Sequence, residues 1–103
     1  MNNLEKICAR LPVTELLAQL AEEAAELGHA ALKLRRVIDG RNYTPVTYEQ
    51  AVDSLHEEIA DIINAMDAID IYLNMDMVKV LSTKREKQAR WAERLERVEN
   101  GEK

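Results

Sequence analysis

The stretch Leu55-His56-Glu57-Glu58-Ile59-Ala60-Asp61-Ile62-Ile63-Asn64-Ala65-Met66-Asp67-Ala68-Ile69-Asp70-Ile71-Tyr72-Leu73 decides the fold class. Its apolar residues Leu55, Ile59, Ile62, Ile63, Met66, Ile69 and Leu73 recur at three- and four-residue steps. That period lines them along one side of an α-helix and fits no alternating strand. Upstream, Thr47 and Gln50 form a Thr-x-x-Gln capping box, so a long helix is predicted from Thr47 to near Asn74.

Working toward the N-terminus, Leu16, Leu17, Leu20, Ala24, Leu27, Ala31, Leu34 and Ile38 keep the same period and predict a first long helix over Val13 to Asp39. Thr14 is placed to cap its first turn and Gly40 to close its end. Leu4, Ile7, Cys8 and Leu11 predict a short lead-in helix that stops near Pro12. The segment Gly40-Arg41-Asn42-Tyr43-Thr44-Pro45-Val46 has no period and reads as a loop. From about Asp76 another helix is predicted, sparse in apolar residues (Val80, Leu81, Trp91, Leu95, Val98) and rich in Lys and Arg. Trp91 is expected to anchor the core, with Met66, Met75 and Met77 as packing, and residues 100–103 as a frayed tail.

Composition agrees with this reading. Three Gly and two Pro are too few for the turns of a sandwich or barrel, while 47% hydrophobic residues can build a core. With no Phe and 4% aromatics, that core must be aliphatic. The expectation is a single all-α domain over residues 1–103, its motif-bearing core about 13–98. It is a bundle of two long antiparallel helices, a short N-terminal helix and a basic C-terminal helix. A chain this small buries only about 60–65% of its unfolded surface, so completion as a homodimer or homotetramer is expected.

The formal charge of −5 and pI near 5.0 argue against nucleic acid as a partner. One cysteine, Cys8, precludes an internal disulfide and is read as inert. The N-terminus lacks the apolar segment of a signal peptide, and no run approaches the roughly 18 apolar residues of a membrane span. A cytoplasmic protein with no membrane partner is therefore expected.

The charge is unevenly placed. From Glu15 to Asp70 twelve acids face four bases, whereas Lys84 to Arg97 holds six bases and three acids. Two acidic clusters stand out: Glu22-Glu23-Ala24-Ala25-Glu26 and Glu57-Glu58-Ile59-Ala60-Asp61. Like charges at i, i+3 and i, i+4 cost about 0.2–0.5 kcal/mol per pair. The second cluster lies beside the apolar stripe, so Glu58 and Asp61 are expected to point partly inward, where a carboxylate must be protonated, paired or bound to metal. If the long helices pack antiparallel, Glu23 and Glu26 face Glu58 and Asp61 in an all-oxygen site suited to Mg²⁺ or Mn²⁺. For any single Glu pair a solvated face is the ordinary explanation; two such clusters on neighbouring helices favour convergence.

Two other readings stay open. Glu26-Leu27-Gly28-His29 has the Glu-x-x-His spacing of di-iron carboxylate bundles, but the other histidine, His56, precedes its glutamates and supplies no second copy. His29 is then a surface or interface residue. A non-enzymatic helical interaction module would carry the same charged faces for solubility and pairing.

The paired clusters resemble the signature of the MazG-like members of the all-α nucleoside triphosphate pyrophosphatase superfamily. That signature is Glu-Glu-x-x-Glu on one helix followed by Glu-x-x-Asp on the next, here Glu22-Glu23-x-x-Glu26 and Glu58-x-x-Asp61. The likeness extends to Leu34-Arg35-Arg36, Asn42-x-Thr44-Pro45, Leu55-His56-Glu57 and Lys87-x-x-Arg90-Trp91-x-x-Arg94-Leu95, covering roughly residues 15–95. The resemblance implies Mg²⁺-dependent hydrolysis of a nucleoside triphosphate between its α- and β-phosphates, with Glu23, Glu26, Glu58 and Asp61 on the metal. Glu22 is the candidate to orient or deprotonate the attacking water. Lys84, Lys87, Arg90 and Arg94 are assigned to the triphosphate, with Lys33 and Arg36 as weaker candidates.

Overall fold

The computed structural model describes residues 1–40 and 43–101 and is all-helical, with four helices: α1 Asn3–Arg10, α2 Val13–Asp39, α3 Tyr48–Leu73 and α4 Met77–Glu99. Arg41 and Asn42 of the expected loop, and Glu102 and Lys103 of the expected tail, lie outside the described residues. Among the described residues no helix is long and apolar enough to cross a membrane.

Most helix ends follow from local chemistry. The Thr47 hydroxyl accepts from the Gln50 amide at 3.1 Å and the Gln50 side-chain carbonyl accepts from the Thr47 amide at 2.9 Å, completing the capping box of α3. Gly40 ends α2 in the left-handed region at φ 65°, where a Cβ would be strained, and its amide donates to the Arg36 carbonyl at 2.9 Å. Asn2 caps α1 through a 2.8 Å bond accepted from the Glu5 amide. The start of α2 differs from expectation. Its N-cap is Pro12 with no side-chain cap, and Thr14 lies inside the first turn. The Pro12 carbonyl accepts from the Glu15 and Leu16 amides, and proline's missing N–H costs nothing outside the helix.

The two long helices pack against each other and run antiparallel. Leu16, near the start of α2, is buried with Ala68 and Ile69, near the end of α3, and Leu4, Cys8, Leu20 and Met75 close over this cluster. The pairing of an early residue on one helix with late residues on the other fixes the direction. Small residues, Ala51, Ala65 and Ala68, bring the α3 backbone close to its neighbours. The short helix α1 sits on α3, where the Tyr72 hydroxyl lies against the carbonyls of Cys8 and Leu11 and shares its one proton between these acceptors at the C-terminal end of α1. Cys8 donates its thiol to the Ala68 carbonyl at 3.5 Å.

The fourth helix does not join this core. Trp91 is 61% exposed and Val98 70%, so Trp91 is a surface residue and not the expected anchor. Met66 and Met77 are likewise exposed, and only Met75 packs as predicted. The physical reason is the link of residues 74–76. Asn74 turns the chain through the left-handed region at φ 47°, the Asp70 carboxylate accepts from the Met75 amide at 2.8 Å, and Asp76 caps α4 by accepting from Lys79 at 3.0 Å. These bonds send α4 away from the α2–α3 pair. The radius of gyration is accordingly 18.1 Å, against about 13 Å for a compact domain of this length.

Candidate functional site

The antiparallel register sets the site. Seven residues, about two turns, forward from Leu16 on α2 is Glu23, and seven residues back from Ala68 on α3 is Asp61. One turn further back on α3 is Glu58. Glu23, Glu58 and Asp61 each offer a carboxylate oxygen, and these atoms lie within 4.8 Å of one another.

Their surroundings are electrostatically uncompensated. Glu23 and Glu58 are half-buried and Asp61 is exposed. The Glu58 Oε2 atom is buried and accepts no hydrogen bond from the described residues. Ion pairs among the described residues join Arg35 to Asp39 and Arg97 to Glu93, the His56 ring lies 3.7 Å from the Asp53 carboxylate, and none of these reaches the triad. Burial raises the Glu23 carboxyl above its ordinary range. The charges of Asp61 and Glu58, a hydrogen bond with Asp61 and the charge of Glu26 push it further in the same direction.

Other expected ligands stand elsewhere. Glu26 is exposed and is not in the close group. It stands about one turn along α2 from Glu23, near enough for its charge to act on the Glu23 carboxyl. Glu22 is exposed, about 100° around α2 from Glu23. Lys33 and Arg36 are exposed further along α2, Lys33 about 10 Å beyond Glu26 along the axis. Lys84, Lys87, Arg90 and Arg94 border a shallow hollow along α4 together with Gln88 and Trp91, all from that one helix. Within one chain α4 has no extended packing against α2 or α3, so these cations and the carboxylates belong to separate regions. His29 is exposed and outside the close group, which leaves the di-iron spacing of Glu26 and His29 without a second cluster among the described residues.

Two polar residues that hold the scaffold, Asp70 and Tyr72, carried no sequence signal of their own. Their partners are backbone groups brought near by the α3–α4 link and by α1.

The raised Glu23 carboxyl predicts a pH dependence. A carboxyl that binds its proton more tightly when folded contributes stability at pH values below its unfolded pKa and loses that contribution as pH rises through the folded pKa. The melting temperature measured in chelator should therefore rise on acidification from neutral pH toward the ordinary carboxyl range. Glu23→Gln should flatten that slope, and an unchanged slope would remove Glu23 as its source.

Against known proteins, the chain matches no family model, no curated protein and no solved structure.

Proposed function

We propose that the protein is a Mg²⁺- or Mn²⁺-dependent nucleoside triphosphate pyrophosphohydrolase that releases the nucleoside monophosphate and pyrophosphate. The observation that carries this reading is the convergence of Glu23, Glu58 and Asp61 from two helices around the partnerless Glu58 Oε2. An acidic cluster alone is common on helical surfaces. A buried carboxylate oxygen without a donor is costly, and a cation relieves that cost. The donor set is all carboxylate oxygen, which fits hard divalent ions and not zinc or copper.

Glu23, Glu58 and Asp61 would hold the ion, with Glu26 beside them. Bound there, it would supply charge neutralisation for phosphate oxygens and Lewis acidity toward a water. The chain's own groups do the rest. Glu22, exposed beside the cluster, is assigned to orient the attacking water and take its proton. Water adds across the α–β anhydride, its oxygen going to one phosphorus while the bridging oxygen leaves with the other. Lys33 is assigned to the triphosphate charge together with Lys84, Lys87, Arg90 and Arg94, which lie apart from the carboxylates within one chain and would reach the site from the α4 of a second copy. The negative charge of the carboxylates repels a bare triphosphate, so binding requires the cation and these bases together.

The test is to incubate the protein with a panel of ribo- and deoxyribonucleoside triphosphates and Mg²⁺ and identify the products. Paired monophosphate and pyrophosphate are expected from at least one substrate. Orthophosphate alone, or no release from any of them, overturns the proposal. A helical interaction module is the second reading, favoured by the uncovered apolar residues of α4.

A further inference from the structure

The fourth helix carries a repeat that its own chain leaves unused. Met77, Leu81, Lys84, Gln88, Trp91, Leu95 and Val98 follow one another at alternating steps of four and three residues, the spacing of a coiled-coil seam. Leu81 is 48% exposed and Leu95 54%, and no other helix packs along them. The side of α3 left uncovered by α2 carries the same steps in Ile59, Ile63, Met66, Asp70 and Leu73. Ile63 and Leu73 are each more than half exposed.

Charge decides how these two seams are covered. From Tyr48 to Leu73, α3 holds seven acids (Glu49, Asp53, Glu57, Glu58, Asp61, Asp67, Asp70) and no Lys or Arg. From Met77 to Glu99, α4 holds seven bases and four acids. Pairing α4 with α4, or α3 with α3, sets like charges along the flanks, whereas α4 on α3 sets the flanking bases Arg85, Lys87 and Arg94 against a helix whose flanking charges, Asp53 and Asp67, are acidic. The bonds across residues 74–76 direct α4 away from the α3 of its own chain.

We propose that α4 of each copy lies along the uncovered seam of α3 in a second copy, reciprocally, so that two chains cover both seams about a two-fold axis. A two-fold arrangement makes the exchange closed. Lys84 and Gln88 interrupt the apolar seam at its middle, and a polar seam position fixes register. The hydrolase reading draws on this assembly for its α4 bases, but the inference itself concerns assembly and is read without substrate.

Light scattering on a sizing column at tens of micromolar should give at least twice the 11.8 kDa chain mass. The double variant Leu81→Glu, Leu95→Glu should elute with the mass of one chain, keep its far-ultraviolet helix signal, and shift the emission of Trp91 to longer wavelength. Zero-length carbodiimide cross-linking of mixed unlabelled and heavy-nitrogen-labelled wild-type protein should join Lys84 or Lys87 of one copy to Asp53 or Asp67 of another. The proposal is overturned by a single-chain mass for the wild type, by a helical double variant that keeps the wild-type mass, or by cross-copy links confined to α4 with α4. Loss of helix in the double variant leaves the cross-links on wild-type protein to decide.

Discussion

Glu58→Ala is expected to lower Mg²⁺-dependent pyrophosphate release by at least about two orders of magnitude, comparable to removal of a charge-stabilising group at other reacting centres. The same substitution should leave the melting temperature of the protein in chelator unchanged or higher. The opposite signs come from one atom. Glu58 Oε2 is buried without a donor and lies beside two further carboxylates, so in the absence of a cation the side chain is a cost to the fold. Removing it relieves that cost and, on the proposed hydrolase reading, deletes a ligand. Glu58→Gln refines the test, because it keeps the shape, removes the charge and brings a donor amide to face Glu23 and Asp61. It should be as inactive as the alanine variant and the most heat-resistant of the three proteins in chelator. Addition of Mg²⁺ should raise the melting temperature of the wild type by mass action and leave both variants where they were. Activity within tenfold of wild type for Glu58→Ala would remove the residue from the site. A loss of stability in chelator for Glu58→Gln would show that its carboxylate already has a partner.

The largest stability effect is expected from Leu16→Ala. Leu16 is 2% exposed and meets Ala68 and Ile69 where α2 crosses the end of α3, with Leu4, Cys8, Leu20 and Met75 closing around it. Truncating a buried leucine removes transfer free energy and leaves a cavity, together about 2–5 kcal/mol. Total stabilities lie at about 5–15 kcal/mol, so this is a large share for a chain whose buried core, among the described residues, is Leu16, Ala51, Ala65, Ala68 and Ile69. For a domain of this length about 1 kcal/mol shifts the melting point by about 4–8 °C, so a fall of about 10 °C or more is expected in a thermal scan. Leu32→Ala is the comparison: Leu32 is half exposed on the same helix, and its loss should cost about 0.5 kcal/mol or less. Equal melting points for the two variants would contradict the packing around Leu16. Because the Leu16 contacts set the register of α2 on α3, Leu16→Ala should also weaken Mg²⁺ binding in whatever fraction remains folded.

The sequence pattern located all four helices closely because their ends rest on local chemistry. Thr47 with Gln50, Gly40 after Asp39 and the apolar period of Leu55 to Leu73 each act within a few residues. The meeting of Glu23 with Glu58 and Asp61 was also legible, since two amphipathic helices joined by a short loop pack antiparallel and bring their inner acids level. Three features were not legible, for distinct reasons. Thr14 looked like a cap by residue type, yet the Pro12 carbonyl had already begun the helix two residues earlier. Glu26 belongs to the acidic motif and acts on Glu23 through its charge, but it is exposed and its carboxylate lies outside the close group. Trp91 and its apolar neighbours read as core because periodicity tells which side of a helix wants cover and not which molecule provides it.

The link of residues 74–76 has a mechanical consequence. Its direction is set by a few hydrogen bonds around Asp70, Asn74 and Asp76, while the 23 residues of α4 beyond it act as a rigid lever. At a rise of about 1.5 Å per residue that lever is about 35 Å long, so a change of about 15° at the pivot sweeps its tip by about 9 Å. A substitution at Asn74 or Asp76 should therefore re-aim the distal half of α4 while Leu16 keeps its packing on Ala68 and Ile69.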